Sequence, residues 1–245
     1  MKKNYEYYNT VLSQLDRQVK EEEENIEKAA QFCADSVCSD RIIHAFGCGH
    51  SQMFGEEMFY RSGGLVPVNA ILHPHYSLVP KARISSAVER QEGLADKFLA
   101  NCNHDSRDTM IITSISGRNA AVIDMAIAAK KIGMKVVALV SQVFSSKVTS
   151  RHSSGKNLKD FADVVIDIKC VYGDACLEME GVDGKFGGTS TILAMMVVEM
   201  ISTRTIELCA ERGYNPPIFV SGNTDIGDKL NNERIEKYSK IIPTL

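Results

Sequence analysis

The sequence predicts an α/β protein built as a three-layer, doubly wound parallel sheet of five strands with helical extensions at both ends. Three observations carry this prediction. Short apolar runs alternate with segments of helical periodicity along most of the chain. The runs are apolar at successive positions, as in strands covered on both faces, rather than at every second position. A glycine turn, Gly47-Cys48-Gly49, joins the first such run to a helical pattern.

Each element follows in order. Over the first forty residues, Tyr8, Val11, Leu12, Leu15 and Val19 recur at helical spacing, and so do Ile26, Ala29, Ala30, Cys33 and Val37. Glu21 to Glu24, between them, reads as a solvated face. "RIIHAFG" (41–47) is the first strand and "SQMFGEEMFYRSGG" (51–64) a helix closed by Gly63-Gly64. "VPVNAIL" (66–72) is the second strand. "SSAVERQEGLADKFLA" (85–100) reads as one helix capped by Ser85 or Ser86. "TMIITSI" (109–115) is the third strand. The helix "NAAVIDMAIAAKKIG" (119–133) carries Lys130 and Lys131 in its last turn, with Gly133 as its stop. "KVVALVS" (135–141) and "VVIDIKC" (164–170) complete the sheet. A long helix over 189–214, apolar on most sides at its start, is buried in the core or against a partner, and Pro216-Pro217 marks its end. "DKLNNERIEKYSKII" (228–242) is a last surface helix. The expected division is N-terminal helices over 1–40, packing on the domain and a partner subunit, one binding domain over 41–215, and a tail over 216–245.

Composition narrows the function classes. Of the 245 residues, 44% are apolar and 24% charged, as in an ordinary globular protein with a full core. No apolar run reaches the length of a membrane span, and the N-terminus lacks the apolar segment of a secretory signal, so a cytoplasmic location is expected. Seven cysteines without a C-x-x-C pair read as reduced thiols rather than a zinc ribbon. A net charge of −3 disfavours nonspecific nucleic-acid binding.

The glycine turn invites two familiar phosphate motifs, and neither fits. The dinucleotide fingerprint G-x-G-x-x-G needs a third glycine where Gln52 stands, and Val68-Asn69-Ala70 offers no carboxylate for a ribose. A Walker A loop ending at Gly155-Lys156 would need glycine at Ser150 and a hydroxyl at Asn157. A tight turn without a ligand remains the plain alternative.

A second loop, "TSISGRNAAV", shifts the balance. Ser114, Ser116 and Asn119 surround Gly117 at a helix start, where free N–H groups and the dipole favour an oxyanion. N-capping alone needs one such side chain, not three. With strand order 2-1-3-4-5, strands one and three are neighbours at the switch point, so the two loops wall one crevice.

"GCGHS" followed by "SISGRN" resembles the sugar isomerase (SIS) domain family, most closely its uncharacterised bacterial phosphosugar-binding branch with "FYRSGG"-like and "TSRHSSGK"-like stretches. The resemblance covers most of the chain. It implies a five-stranded parallel sheet, a sugar-phosphate ligand, no cofactor, and a homodimer or homotetramer. It places ligand contacts at Gly49, His50, Ser51, Ser114, Ser116, Gly117, Arg118 and Asn119, with the phosphate on Ser114, Ser116 and Asn119.

Aldose–ketose isomerisation needs a general base and a group that assists ring opening. Glu56, Glu57, Glu89, Glu92, His50, His75 and His152 are available. On one helix, Glu89 and Glu92 would share a face, and Arg90 could hold one of them ionised. "AVERQE" resembles the Ala-Val-Glu-x-x-Glu segment of the related N-acetylmuramic acid 6-phosphate etherases, which implies a catalytic role at Glu92. Where heptose-phosphate isomerases and etherases carry a catalytic glutamate on the helix after the first loop, this chain has Arg61, so Glu57 would take that task or the chemistry differs. Lys147, Arg151, His152 and Lys156 cluster in a loop that could hold an anion, with His152 as the ring-opening group. His73 and His75 lack a third metal ligand, and no metal is expected. Cys48 reads as a small filler of its turn, although a helix N-terminus could lower its pKa. The expected function is a metal-independent sugar-phosphate or amino-sugar-phosphate isomerase. The alternatives are an etherase acting on an N-acetylmuramic acid 6-phosphate-like substrate and a non-catalytic sugar-phosphate sensor. A one-chain regulator is disfavoured, because the first forty residues hold no basic recognition helix.

Overall fold

In a computed structural model, which describes residues 2–224 and 226–245, five parallel strands form the central sheet. They are β1 (Ile43–Gly47), β2 (Val68–Ala70), β3 (Thr109–Thr113), β4 (Lys135–Val140) and β5 (Val164–Asp167). Their order is β2-β1-β3-β4-β5, the doubly wound arrangement expected from the sequence. Both faces are covered, which is why the strands are continuously apolar. Ile43, Ala45, Ile111, Val137 and Leu139 point into one core layer, and Phe46, Met110, Ile112, Ala138 and Val140 into the other.

Against the first layer lie α1 (Lys3–Glu21), α2 (Glu23–Cys38), α3 (Met53–Met58) and the long α8 (Ser190–Glu211), with α2 packed along α8. The second layer is covered by α5 (Ala95–Ala100) and α6 (Ala120–Ile132), with α4 (Ala82–Val88) reaching toward it from the segment after β2. A short α7 (Gln142–Ser145) follows β4, and α9 (Gly227–Tyr238) closes a small third cluster through Tyr238.

Four local expectations change. The helix after the glycine turn is only Met53–Met58, because Phe59 is already extended. A 3₁₀ turn over Gly49–Gln52 leads into it. The segment 85–100 is two helices, since Gly93 adopts φ +73° and its N–H donates to the Asp124 carboxylate (2.7 Å). Ser85 is no cap. It lies inside α4, where its hydroxyl donates to the Tyr76 carbonyl. Of the apolar stripe on α1, Val11 is buried, whereas Tyr8, Leu12 and Val19 are exposed. A hairpin not anticipated from the sequence, β6 (Ala175–Leu177) with β7 (Phe186–Gly188), precedes α8. No helix among the described residues is long and apolar enough to cross a membrane.

Candidate functional site

β1 and β3 are neighbours, and Gly47 stands opposite Thr113 at their carboxyl ends. From there the chain departs to opposite faces, into α3 on one side and toward α6 on the other. Backbone that parts this way leaves a crevice at the switch point. Residues 48–52 and 114–119, the loops that follow the two strands, flank that point as the two walls expected from the sequence.

Glycine is required at 47 by close approach, since a Cβ there would lie 2.3 Å from the Ser51 carbonyl oxygen. The Ser51 N–H closes the turn onto the Cys48 carbonyl (3.1 Å). Ser51 is buried, Gly49 takes a left-handed φ of +59°, and His50 is exposed. Burial pushes the Cys48 thiol well above its ordinary value and the Glu89 carboxylate adds to this, so Cys48 is no activated nucleophile.

The second wall is pinned by its backbone. Ser114 N–H donates to the Leu139 carbonyl (3.0 Å), and Gly117, at φ +64°, donates to Ser114 (3.1 Å). The carbonyls of Gly117 and Arg118 accept from the N–H groups of Leu158 and Arg151, each at 2.8 Å. The Glu89 carbonyl takes one of the free N–H groups of α6, that of Ala121 (3.1 Å). The hydroxyls of Ser51, Ser114 and Ser116 have no protein partner among the described residues. The Asn119 Oδ1 accepts from Arg151 (2.9 Å), and the Asn119 side chain lies near enough to Glu89 to favour the ionised carboxylate. Arg118 turns outward to the Thr149 carbonyl (2.9 Å).

The structure separates the two glutamates expected to share a helical face. Glu89 follows the last residue of α4 and Glu92 lies in the turn before α5, so the i,i+3 relation does not apply. Glu89 is half-buried, near Asn119 of one wall and in electrostatic reach of Cys48 on the other. Burial raises its pKa, against the opposing pull of the Asn119 side chain and the Arg90 and Arg151 charges. Glu92 is exposed, and its carboxylate accepts from the N–H (2.6 Å) and hydroxyl (2.7 Å) of Ser153, which lowers its pKa.

His152 joins the same knot. Its Nδ1 accepts from the Ser154 N–H (3.0 Å), so in the neutral ring Nε2 carries the proton and donates it to Asp124 (3.0 Å). The Glu92 carboxylate lies 3.7 Å from the same nitrogen. Asp124 therefore ties the Gly93 turn and the His152 loop to α6. Sequence reasoning passed over Asp124; a lone acid inside the apolar "NAAVIDMAIAA" was the available signal.

The remaining candidates lie elsewhere. Arg61 pairs with Glu57 (2.5 Å) and Glu199 (3.3 Å). His73 stacks on Phe98 and His75. Lys147 and Lys156 lie over Tyr172 and Phe161. Among the described residues, no group of three or more His, Cys, Asp or Glu side chains is placed to hold a metal.

Fold and loops together define a doubly wound α/β protein with paired loops at its switch point. A family model described as "SIS domain" matches residues 6–141, and the chain belongs to that family. A UPF0309 protein of Geobacillus sp. (strain WCH70) is 41% identical over 98% of this chain and 97% of its own. One of Listeria innocua is 38% identical over 98% and 97%. Solved structures of phosphoheptose isomerases from Neisseria gonorrhoeae and Francisella tularensis match at TM-scores of 0.55 each, with 16% and 14% identity. They cover 84% of this chain and 97% of each isomerase, a likeness of fold.

Proposed function

We propose that the protein binds a sugar phosphate in the crevice between residues 48–52 and 114–119 and isomerises it between aldose and ketose forms. The observation that carries the reading is the loop after β3. Two serine hydroxyls without protein partners among the described residues, Ser114 and Ser116, stand beside the N-terminus of α6, where N–H groups and dipole favour an oxyanion. Ser51 faces the same crevice from the other wall. Membership of the SIS family supports the ligand class.

In this reading Glu89 is the general base. It lies between the walls, and its raised pKa suits an acid–base group that takes a proton from one carbon and returns it to the next. Asn119 and Arg151 favour its ionised form. Glu92 and His152 position that turn rather than touch the substrate. The expected assembly is a homodimer or homotetramer, with the exposed Tyr5, Tyr8 and Leu12 of α1 as its contact surface.

Calorimetric titration with glucose 6-phosphate tests the cradle. Ser116→Ala is expected to weaken binding at least tenfold, the cost of roughly 1.4 kcal/mol or more for a lost hydrogen bond to a charged group. Undiminished affinity would remove Ser116 and the cradle with it. Solvent deuterium entering C2 of a substrate, without loss of a side group, distinguishes isomerisation from ether elimination.

A further inference from the structure

Three guanidiniums gather around the second wall. Arg118 belongs to it. Arg151 is fixed to it twice, through its N–H on the Arg118 carbonyl and its Nη1 on the Asn119 amide. Arg90 follows Glu89, whose carbonyl is bonded to Ala121 of the same helix end.

These arginines differ from most others in the chain. Arg17, Arg41, Arg61, Arg107, Arg204 and Arg212 each pair with a carboxylate within 3.3 Å, whereas Arg83, on α4, and Arg234, bonded to the Ile218 carbonyl, form no such pair among the described residues. Arg90, Arg118 and Arg151 form no salt bridge among the described residues, and Arg90 has no hydrogen-bond partner either. Glu89, the acid within electrostatic reach of Arg90 and Arg151, is half-buried. Burial, then repulsion from Arg118 and Arg90, makes the Arg151 charge harder to hold. Three like charges kept together around one half-buried carboxylate favour a further anion between them.

The cradle does not need them. Hydroxyls, N–H groups and the helix dipole already suit a phosphomonoester, and Arg118 and Arg151 are anchored to the rim by Thr149 and Asn119. We infer that Arg90, Arg118 and Arg151 form a second anion subsite beside the phosphate cradle, and that the ligand is a sugar phosphate carrying a further anionic group, a carboxylate or a second phosphate. The inference rests on the cradle reading above. A guanidinium fork suits either group through paired N–H donors, and the three arginines differ in how they are tethered. Arg118 and Arg151 are tethered, whereas Arg90 is exposed and free to close onto the bound group.

The test titrates the full chain with glucose 6-phosphate, 6-phosphogluconate and glucose 1,6-bisphosphate. The doubly anionic probes should bind roughly tenfold or more tightly than glucose 6-phosphate. Preference for 6-phosphogluconate identifies a carboxylate as the second group, and preference for the bisphosphate identifies a phosphate. Arg90→Ala should remove the gap and leave glucose 6-phosphate affinity nearly unchanged, and Arg90→Lys should restore part of it. Equal affinities in the wild type overturn the inference, as does an Arg90→Ala variant that weakens all three probes in parallel. Ser116→Ala separates the two readings. If it spares binding while the gap persists, the cradle fails and the arginine subsite stands. If none of the probes binds the wild type, both fall.

Discussion

Glu89 and Glu92 lie three residues apart in one turn, in opposite surroundings. Glu89 faces inward between the walls, where burial disfavours its charge. Glu92 faces outward, where two donors from Ser153 favour its charge. The chain thus makes two different groups from the same side chain. A carboxyl whose pKa is raised takes up a proton more readily, and one whose pKa is lowered is held as a hydrogen-bond acceptor. The difference comes from the end of α4 at Val88: Glu89 still caps that helix, whereas Glu92 lies beyond it in the turn that leads to left-handed Gly93 and meets the His152 loop.

The largest expected effect is on turnover. Glu89→Gln should retain sugar-phosphate binding and lose roughly 100- to 10,000-fold in kcat, the usual contribution of a positioned general base. Glu92→Gln should lose far less. If the two variants exchange these outcomes, Glu92 is the base and the geometric assignment is inverted.

The pH dependence comes next in size. A base must be ionised, so the acid limb of kcat/KM should lie above the ordinary glutamate value of 4.5 and disappear in Glu89→Gln. The Arg151 charge favours the ionised Glu89, so Arg151→Ala should move that limb to higher pH. A limb that ignores both substitutions belongs to another group.

Much of this was legible in the sequence, for local reasons. Strand order and face coverage follow from continuous apolar runs separated by helical periods, and the loop after β3 announces itself within six residues through Ser114, Ser116 and Asn119. What was hidden is non-local. The periodicity of 85–100 fits a helix, and nothing near Gly93 shows that an aspartate 31 positions downstream takes its N–H. The Glu92–Ser153 contact spans 61 residues. The hairpin before α8 has strands of three residues each, too short for any alternation to emerge. The contact of Asn119 Oδ1 with Arg151 spans 32 residues, so it too is one that only the fold brings about.

The smallest expected effect concerns stability, and its sign separates the two carboxyls. Glu89 has a raised folded pKa, so ionising it weakens the fold as pH rises from the unfolded value through the folded one. Glu89→Gln should therefore raise Tm at pH 7 and leave it nearly unchanged below pH 4.5. Glu92 has a lowered folded pKa, so its contribution is present above 4.5 and lost as pH falls through the folded value. Glu92→Gln should lower Tm slightly at pH 7, by an amount limited by solvent screening, and the deficit should vanish in acid. Hydrogen exchange adds a local readout. The amides of Gly93 and Ser153 should exchange faster in Glu92→Gln if the contact latches the turn, with α6 unaffected. Matching Tm shifts of one sign in both variants would mean that the two carboxyls share an environment, and the turn would then lose its division into a base and a latch.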